Sequence, residues 1–464
     1  MPPDIYARLP KPLQRLFDNA LIRRIAKNTG YLFSAHGISA ALSMLQGILT
    51  ARLLGVANYG VLGAIITFTS SVNKLASFRM SELVIKYVGH YTEHKDPQRA
   101  AAIFKAAALT EMVASGLAFA LIWLLAPIGA KYFAKDLSTT DLFVVYGLIV
   151  IANLIAESST GLLQIFDRFR RMAFLDVIQS LFTLVMISIT YFSQGGLYEI
   201  LLAYLGGKVI GASGMTIAAL VEASRRWGLG WWRAPLNLLR PQWRELAHFA
   251  ISTNISASLS LINKDSELLW VSFFRSPTET GYYKLALSLA NLVQMPVTPL
   301  PQATYPELSR QAAHKNWDSV RQALRQGSLL AGGYSLVAML GLALLGIPLI
   351  RFFYTAEFLP AYPALLILLL GFLAANTFYW RRVALLALGR ADFPAKLNLI
   401  LATLKVAGIL LLVPRFGYLA NAALLAAFYW VGSLISAWKV HTLIASRVEA
   451  SPGSLPPASG GTEE

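Results

Sequence analysis

The stretch ARLLGVANYGVLGAIITFTSSVNKLASFRMSE, residues Ala51 to Glu82, decides how the chain is read. One apolar run ends at Gly55-Val56-Ala57-Asn58-Tyr59-Gly60, whose glycines and asparagine predict a tight turn. A second apolar run opens at once and carries Asn73, Lys74, Arg79 and Glu82. Charge inside a membrane-spanning segment is costly, so it faces a partner or a wet cavity and marks a candidate site. A related pattern returns at Ser272 to Ala286, SFFRSPTETGYYKLA, where a polar turn leads into Gly-Tyr and an early lysine, Lys284. Gly60 aligns with Gly281 at a shift of 221 residues, and Asp167-Arg168 aligns with Gly389-Arg390 at 222. A nearly constant shift predicts two homologous halves, a common construction for transporters.

Composition sets the class. Of 464 residues, 56% are hydrophobic and 14% charged, and the mean hydropathy is +0.55. Apolar segments of 18 residues or more recur, each long enough for a hydrocarbon core of about 30 Å. The fold class is therefore an all-α polytopic membrane protein. A net charge of +16 would suggest a nucleic-acid partner in a soluble chain, but its distribution here has another explanation. The absence of cysteine excludes disulfides, thiolate metal sites and cysteine nucleophiles. No cleavable signal peptide is expected, because the apolar run after the basic N-terminus is too long for one and reads as a first span.

About twelve spans are expected, near 30–54, 59–85, 101–126, 141–166, 172–193, 197–222, 247–273, 280–305, 327–351, 361–387, 394–413 and 418–442. They organise the chain as a basic interfacial helix (1–29), an N-lobe (30–224), a Trp/Arg-rich linker (225–246), a C-lobe (247–446) and a disordered tail (447–464). Lys and Arg in alternating loops number 25 on one side and 6 on the other, with the remaining 9 of 40 inside spans. By the positive-inside rule both termini are cytoplasmic, and this bias explains most of the net charge. The linker, RRWGLGWWRAPLNLLRPQWR from Arg225 to Arg244, suits the headgroup region of the inner leaflet. Plain anchoring and recognition of an anionic lipid headgroup are its two readings.

The intramembrane basic residues are Lys74, Arg79, Lys105, Lys208, Lys264, Lys284, Arg381, Arg382 and Lys405, against the acids Glu82, Glu111, Glu157, Asp265 and Glu267. A shared cavity lined by them would be cationic, attracting phosphate and repelling cationic drugs. The competing reading is local: Arg79 with Glu82, and Lys264 with Glu267, stand at ion-pair spacing on a helix. Lys105 and Lys405 are placed to snorkel to the cytoplasmic interface, and Lys284 to the outer one. Asp265 reads either as a salt bridge to Lys264 or Lys284, or as a proton or sodium site. Glu157, after Asn153, has the same two readings.

Enzymatic signatures are lacking: there is no P-loop and no HExxH. No catalytic residues, resident cofactor or metal are expected. The run GGKVIGASG, Gly206 to Gly214, is better read as helix packing through Gly207 and Gly211. Pro296, Pro299, Pro301 and Pro306 predict a kinked or broken eighth span.

At these residues a resemblance enters. ARLLGVANYGVLGA, preceded by YLFSAHGISAALSMLQ, resembles the opening of the polysaccharide-biosynthesis proteins, the O-antigen and exopolysaccharide flippases. LLQIFDRFRRMAFLD (Leu162 to Asp176) and NKDSELLWVSFFRSPTETGYYKLALSLANLVQMPVTPL (Asn263 to Leu300) resemble their fourth-to-fifth and seventh-to-eighth spans. The superfamily also holds multidrug exporters and lipid II flippases; the latter are expected to carry fourteen spans, against twelve here. The resemblance implies a V-shaped bundle of six plus six helices working by alternating access. Spans 1, 2, 7 and 8 would border a central cavity, near which Lys74, Arg79, Lys264, Asp265 and Lys284 would lie. Arg79 stands where many relatives have a small residue, so its role is not carried over.

The expected function is translocation of a polyprenyl-pyrophosphate-linked oligosaccharide across a bacterial inner membrane, for O-antigen, capsule or exopolysaccharide synthesis. The alternative is an ion-coupled multidrug antiporter. The candidate substrate-binding residues are Lys74, Arg79, Lys264, Lys284, Arg381 and Arg382. The candidate ion-coupling acids are Asp265, Glu157 and Glu82, with H+ or Na+ as the coupling ion. Arg168, Arg170 and Arg171 are candidates to gather anionic headgroups at the cytoplasmic mouth, with anchoring as their other role. Expected partners are the lipid-linked oligosaccharide, membrane lipids and, for a monomeric flippase, a polysaccharide polymerase and other export proteins. No nucleic acid is expected.

Overall fold

A computed structural model of the chain describes residues 20–261, 265–390 and 392–449. Most of the expected interfacial helix, Lys264 and the 450–464 tail lie outside the described residues. Among these the regular structure is helical, with no strand. The first half holds α1 (Ala20–Ala76), α2 (Met80–Glu93), α3 (Pro97–Gly129), α4 (Thr140–Ala152), α5 (Ala156–Ile165), α6 (Phe169–Phe192) and α7 (Leu197–Trp227). The second holds α8 (Trp243–Ser260), α9 (Glu267–Phe274), α10 (Pro277–Gln294), α11 (Leu300–Ala313), α12 (Trp317–Leu349), α13 (Ala361–Thr377), α14 (Arg381–Ala387) and α15 (Asp392–Glu449).

Eight stretches among the described residues are long and apolar enough to cross a membrane. Two of them are double. Asp392–Val448 has 57 residues, about 85 Å at 1.5 Å per residue, far more than one crossing requires. Its helix is interrupted at Gly417, where φ is 71°. Likewise Gly37–Ala76 is interrupted at Gly55, with φ 66°. Only glycine enters that region without strain, so each long helix is two helices joined at one residue. Of the remaining two expected spans, 280–305 is an interrupted helix, α10 with α11, and 247–273 runs over α8 and α9, with residues 262–264 outside the described ones. The proline-rich break falls between Gln294 and Leu300, as the proline series predicts.

The expected turn at Gly55–Gly60 contracts to Gly55 alone; residues 56–60 are already helical. Gly60 instead serves packing. A Cβ there would collide with the Pro277 carbonyl oxygen, and one at Gly281 would collide with the Val56 carbonyl oxygen. The two glycines that the repeat aligns thus make one reciprocal backbone contact.

Other features recur at shifts of 220 to 222 residues. Positive φ occurs at Lys95 and Lys315 (56° and 55°), and at Asp167 and Gly389 (53° and 69°). The π turns Ala130–Ala134 and Ile350–Tyr354 each follow a proline within the helix, Pro127 and Pro348. Asp96 and Asn316 both cap the next helix, accepting from the backbone N–H of Arg99 (3.0 Å) and Ser319 (3.2 Å).

Packing divides the chain into two compact units, Met1–Gly55 with Ala64–Ser266, and Val56–Gly63 with Glu267–Glu464. In the first, α2, α3, α5 and α7 enclose a core that includes Leu83, Tyr87, Ile103, Phe104 and Leu162. Gly207 and Gly211 of α7 admit Thr183 and Gln179 of α6. The Trp/Arg linker folds onto this unit in two short 3-10 turns, Trp231–Arg233 and Leu236–Gln242. Trp231 packs on Phe104 at 5.3 Å, and Lys105 Nζ donates to the Ala234 carbonyl at 3.2 Å. Trp232 and Trp243 remain exposed, so the linker keeps one face for its surroundings. In the second unit the core gathers Trp317, Leu324, Trp380, Leu385 and Val440. The outward face of α12 shows Leu330, Val337 and Leu344, an apolar surface that suits lipid.

Candidate substrate and ion sites

Each unit positions charge at an interrupted helix. In the first, α1 ends at Ala76 and α2 begins at Met80, leaving Ser77 to Arg79 non-helical. Such a break frees backbone carbonyls. That of Ser77 accepts a hydrogen bond from the Asn254 side chain of α8. One turn earlier Lys74 pairs with Asp265 at 2.7 Å, and one residue before α2 Arg79 pairs with Glu82 at 2.7 Å. Among the described residues Asp265 pairs with Lys74, a partner the sequence did not suggest, and its expected partner Lys264 lies outside them; the Arg79–Glu82 spacing pairs as its helical register predicts.

A second break separates α4 from α5. The N-cap residue of α5, Ile155, supplies no side-chain acceptor. Glu111 of α3 does so instead, accepting from the N–H of Glu157 (2.8 Å) and of Ser158 (2.9 Å) and from Ser158 Oγ (2.6 Å). Glu157 itself accepts from Ser81 Oγ at 3.1 Å. Glu111 thus acts as a structural cap, a role that nothing in its local sequence signals.

At the basic end of this unit Glu222, fully buried, gathers three arginines. Arg168 donates twice, Nε at 2.9 Å and Nη2 at 2.8 Å, with Arg226 at 3.2 Å and Arg171 at 3.8 Å. The hydrogen bonds to Glu222 push the Arg168 guanidinium above its ordinary pKa. Two of the three expected mouth arginines are thus engaged internally, and Arg170 is exposed. Glu222 escaped the sequence reading, although its i,i+4 spacing to Arg226 was a usable signal.

In the second unit Glu267 opens α9 at 1% exposure. Lys405 pairs with its carboxylate, Tyr283 OH donates at 3.0 Å and Asn421 Nδ2 at 2.9 Å. The expected local partner of Glu267, Lys264, lies outside the described residues. The snorkelling expected of Lys405 is overturned: its side chain is 3% exposed, turned inward to a carboxylate 138 residues away. Snorkelling is overturned for Lys284 as well. Its stem crosses Gly63, where a side chain would meet it, and its ammonium donates to the Tyr59 carbonyl at 3.2 Å. The same ammonium stands 3.8 Å from the centre of the Tyr59 ring. Tyr59 is fixed by an edge contact to Phe358 at 5.7 Å. Among the described residues no carboxylate lies within ion-pair distance of Lys284. Arg381, at the start of α14, is similar: Nη1 donates to Ser433 Oγ at 2.9 Å, and Tyr429 lies 5.9 Å away. Arg382 is exposed.

Five of the intramembrane cations therefore fall into two kinds. Lys74, Arg79 and Lys405 are neutralised by carboxylates. Lys284 and Arg381 rest on neutral oxygens and aromatic faces.

Residues 25–312 match the profile of the family described as polysaccharide biosynthesis protein. The chain belongs to that family. It is 22% identical over 356 residues to the inner membrane protein YghQ of Escherichia coli K12, covering 75% of this chain and 98% of that protein. Among solved structures it is similar to an inward-facing multidrug-resistance MATE transporter of the MOP superfamily. The TM-score there is 0.72 at 14% identity, over 89% of this chain and 96% of the other. It is also similar to the lipid II flippase MurJ in an inward closed conformation, with TM-score 0.70 at 16% identity over 90% and 89%. This member of the polysaccharide biosynthesis family thus has the all-helical exporter fold of the MOP superfamily.

Proposed function

We propose that the protein is a flippase for a polyprenyl-pyrophosphate-linked oligosaccharide, working by alternating access in a bacterial inner membrane with both termini cytoplasmic. Lys284 carries this reading. A largely buried ammonium without a carboxylate partner is costly, and an anionic ligand would offset that cost. Arg381 is placed on the same terms. The family supports a role in surface polysaccharide synthesis, and the structural relatives include a lipid flippase. A cationic drug would meet repulsion at both residues.

Among the three candidate coupling acids, Asp265 and Glu82 have basic partners, whereas Glu157 is hydrogen-bonded to the neutral Ser81 hydroxyl. Glu157 is accordingly the carboxylate we assign to H+ or Na+ uptake.

The test is reconstitution into liposomes with a fluorescent lipid-linked oligosaccharide, scored by its exposure to a membrane-impermeant quencher. Wild-type protein should exchange the lipid between leaflets, K284R should retain most of that activity, and K284M should lose at least about tenfold, the weight of one charge-assisted contact. Flipping by K284M at the wild-type rate sinks the reading. So does proton-driven uptake of cationic drugs in place of lipid movement.

A further inference from the structure

Two carboxylates, Asp265 and Glu267, stand two residues apart where the chain leaves one unit and enters the other. Their ion pairs differ in exposed surface. The side chains of Lys74 and Asp265 are 44% and 30% exposed, whereas those of Lys405 and Glu267 are 3% and 2% exposed. Opening a dry pair strands charge in a low dielectric, which is strongly unfavourable. An exposed pair leaves both groups within reach of a ligand, and opening it costs less than opening a buried one. The exposed pair is the exchangeable one.

We propose that Asp265 is a resident stand-in for the substrate's pyrophosphate at Lys74: it neutralises the ammonium while the site is empty and is displaced when the pyrophosphate arrives. This rests on the anionic-substrate reading above and assigns Asp265 a specificity role within it. One carboxylate carries a single charge on two oxygens. A pyrophosphate carries more charge and more acceptors, so it outcompetes Asp265, while a weaker anion does not. Arg79, on the other side of the same helix break, has the same arrangement: its partner Glu82 is 44% exposed. Both basic residues flanking the break are thus covered by exchangeable carboxylates. The site is guarded against stray anions yet open to a strong one.

The experiment measures binding of farnesyl pyrophosphate and farnesyl monophosphate to the purified full-length protein in detergent. D265N should bind the pyrophosphate about fivefold tighter than wild type, the scale on which an exposed ion pair competes. Its preference for pyrophosphate over monophosphate should fall. D265E should restore wild-type values, which a merely structural role for Asp265 would not require. The gain should vanish in D265N/K74M. An unchanged or weaker affinity in D265N, or a gain that persists without Lys74, overturns the proposal. Pyrophosphate binding that needs Lys284 but ignores Asp265 overturns it too, and leaves the anionic-substrate reading standing. Absence of pyrophosphate binding in wild type and D265N alike overturns both.

Discussion

Glu267 and Lys405 are joined by a contact that no local pattern shows. The spacing of charges along a helix exposes partners three or four residues apart, and it pairs Arg79 with Glu82 correctly. It says nothing of a partner 138 residues away, so the sequence offers Lys264 to Glu267 and lipid headgroups to Lys405. The structure's answer has a measurable consequence. Removing one member leaves the other charged and buried, which costs roughly 3–5 kcal/mol. E267Q and K405M should each lower the thermal unfolding midpoint sharply. The double variant E267Q/K405M should recover most of the loss, because the glutamine oxygen still accepts from Tyr283 and Asn421. Additive losses in that cycle would show that the two groups act independently.

Among the elements, the breaks differ in how readable they are. The interruption before α11 follows from prolines, which remove ladder donors whatever the tertiary context. The interruptions at Asn153–Ile155 and Phe378–Trp380 contain no proline or glycine, so propensity gives no warning of them. They depend on partners from other helices. Glu111 is such a partner, and it is more than forty residues from the helix start it caps. At membrane depth no water replaces it. E111A should therefore cost roughly 2–6 kcal/mol, the sum for two orphaned N–H groups, and lower the unfolding midpoint in detergent. E111Q keeps one acceptor and should fall between. If E111A unfolds at the wild-type temperature, the start of α5 is satisfied by other means.

For the whole molecule, the internal repeat is the most legible property and makes the strictest demand on topology. Lys95 and Lys315 share an unusual backbone conformation, and the segments after the two π turns correspond as well. If each half contributes six spans, repeat-related loops must emerge on the same side of the membrane. An odd number in the first half would invert the second. The excess of Lys and Arg predicts the 95 and 315 loops in the cytoplasm and the 138 and 357 segments outside. The absence of cysteine makes this directly measurable, since single-cysteine variants report without background. S138C and E357C, at exposed positions, should react with a membrane-impermeant maleimide in spheroplasts. T92C and K315C should react only after permeabilisation. Opposite results for the two halves would break the six-plus-six arrangement while leaving the sequence repeat intact. Reversal of all four would keep the arrangement and overturn the cytoplasmic placement of the termini.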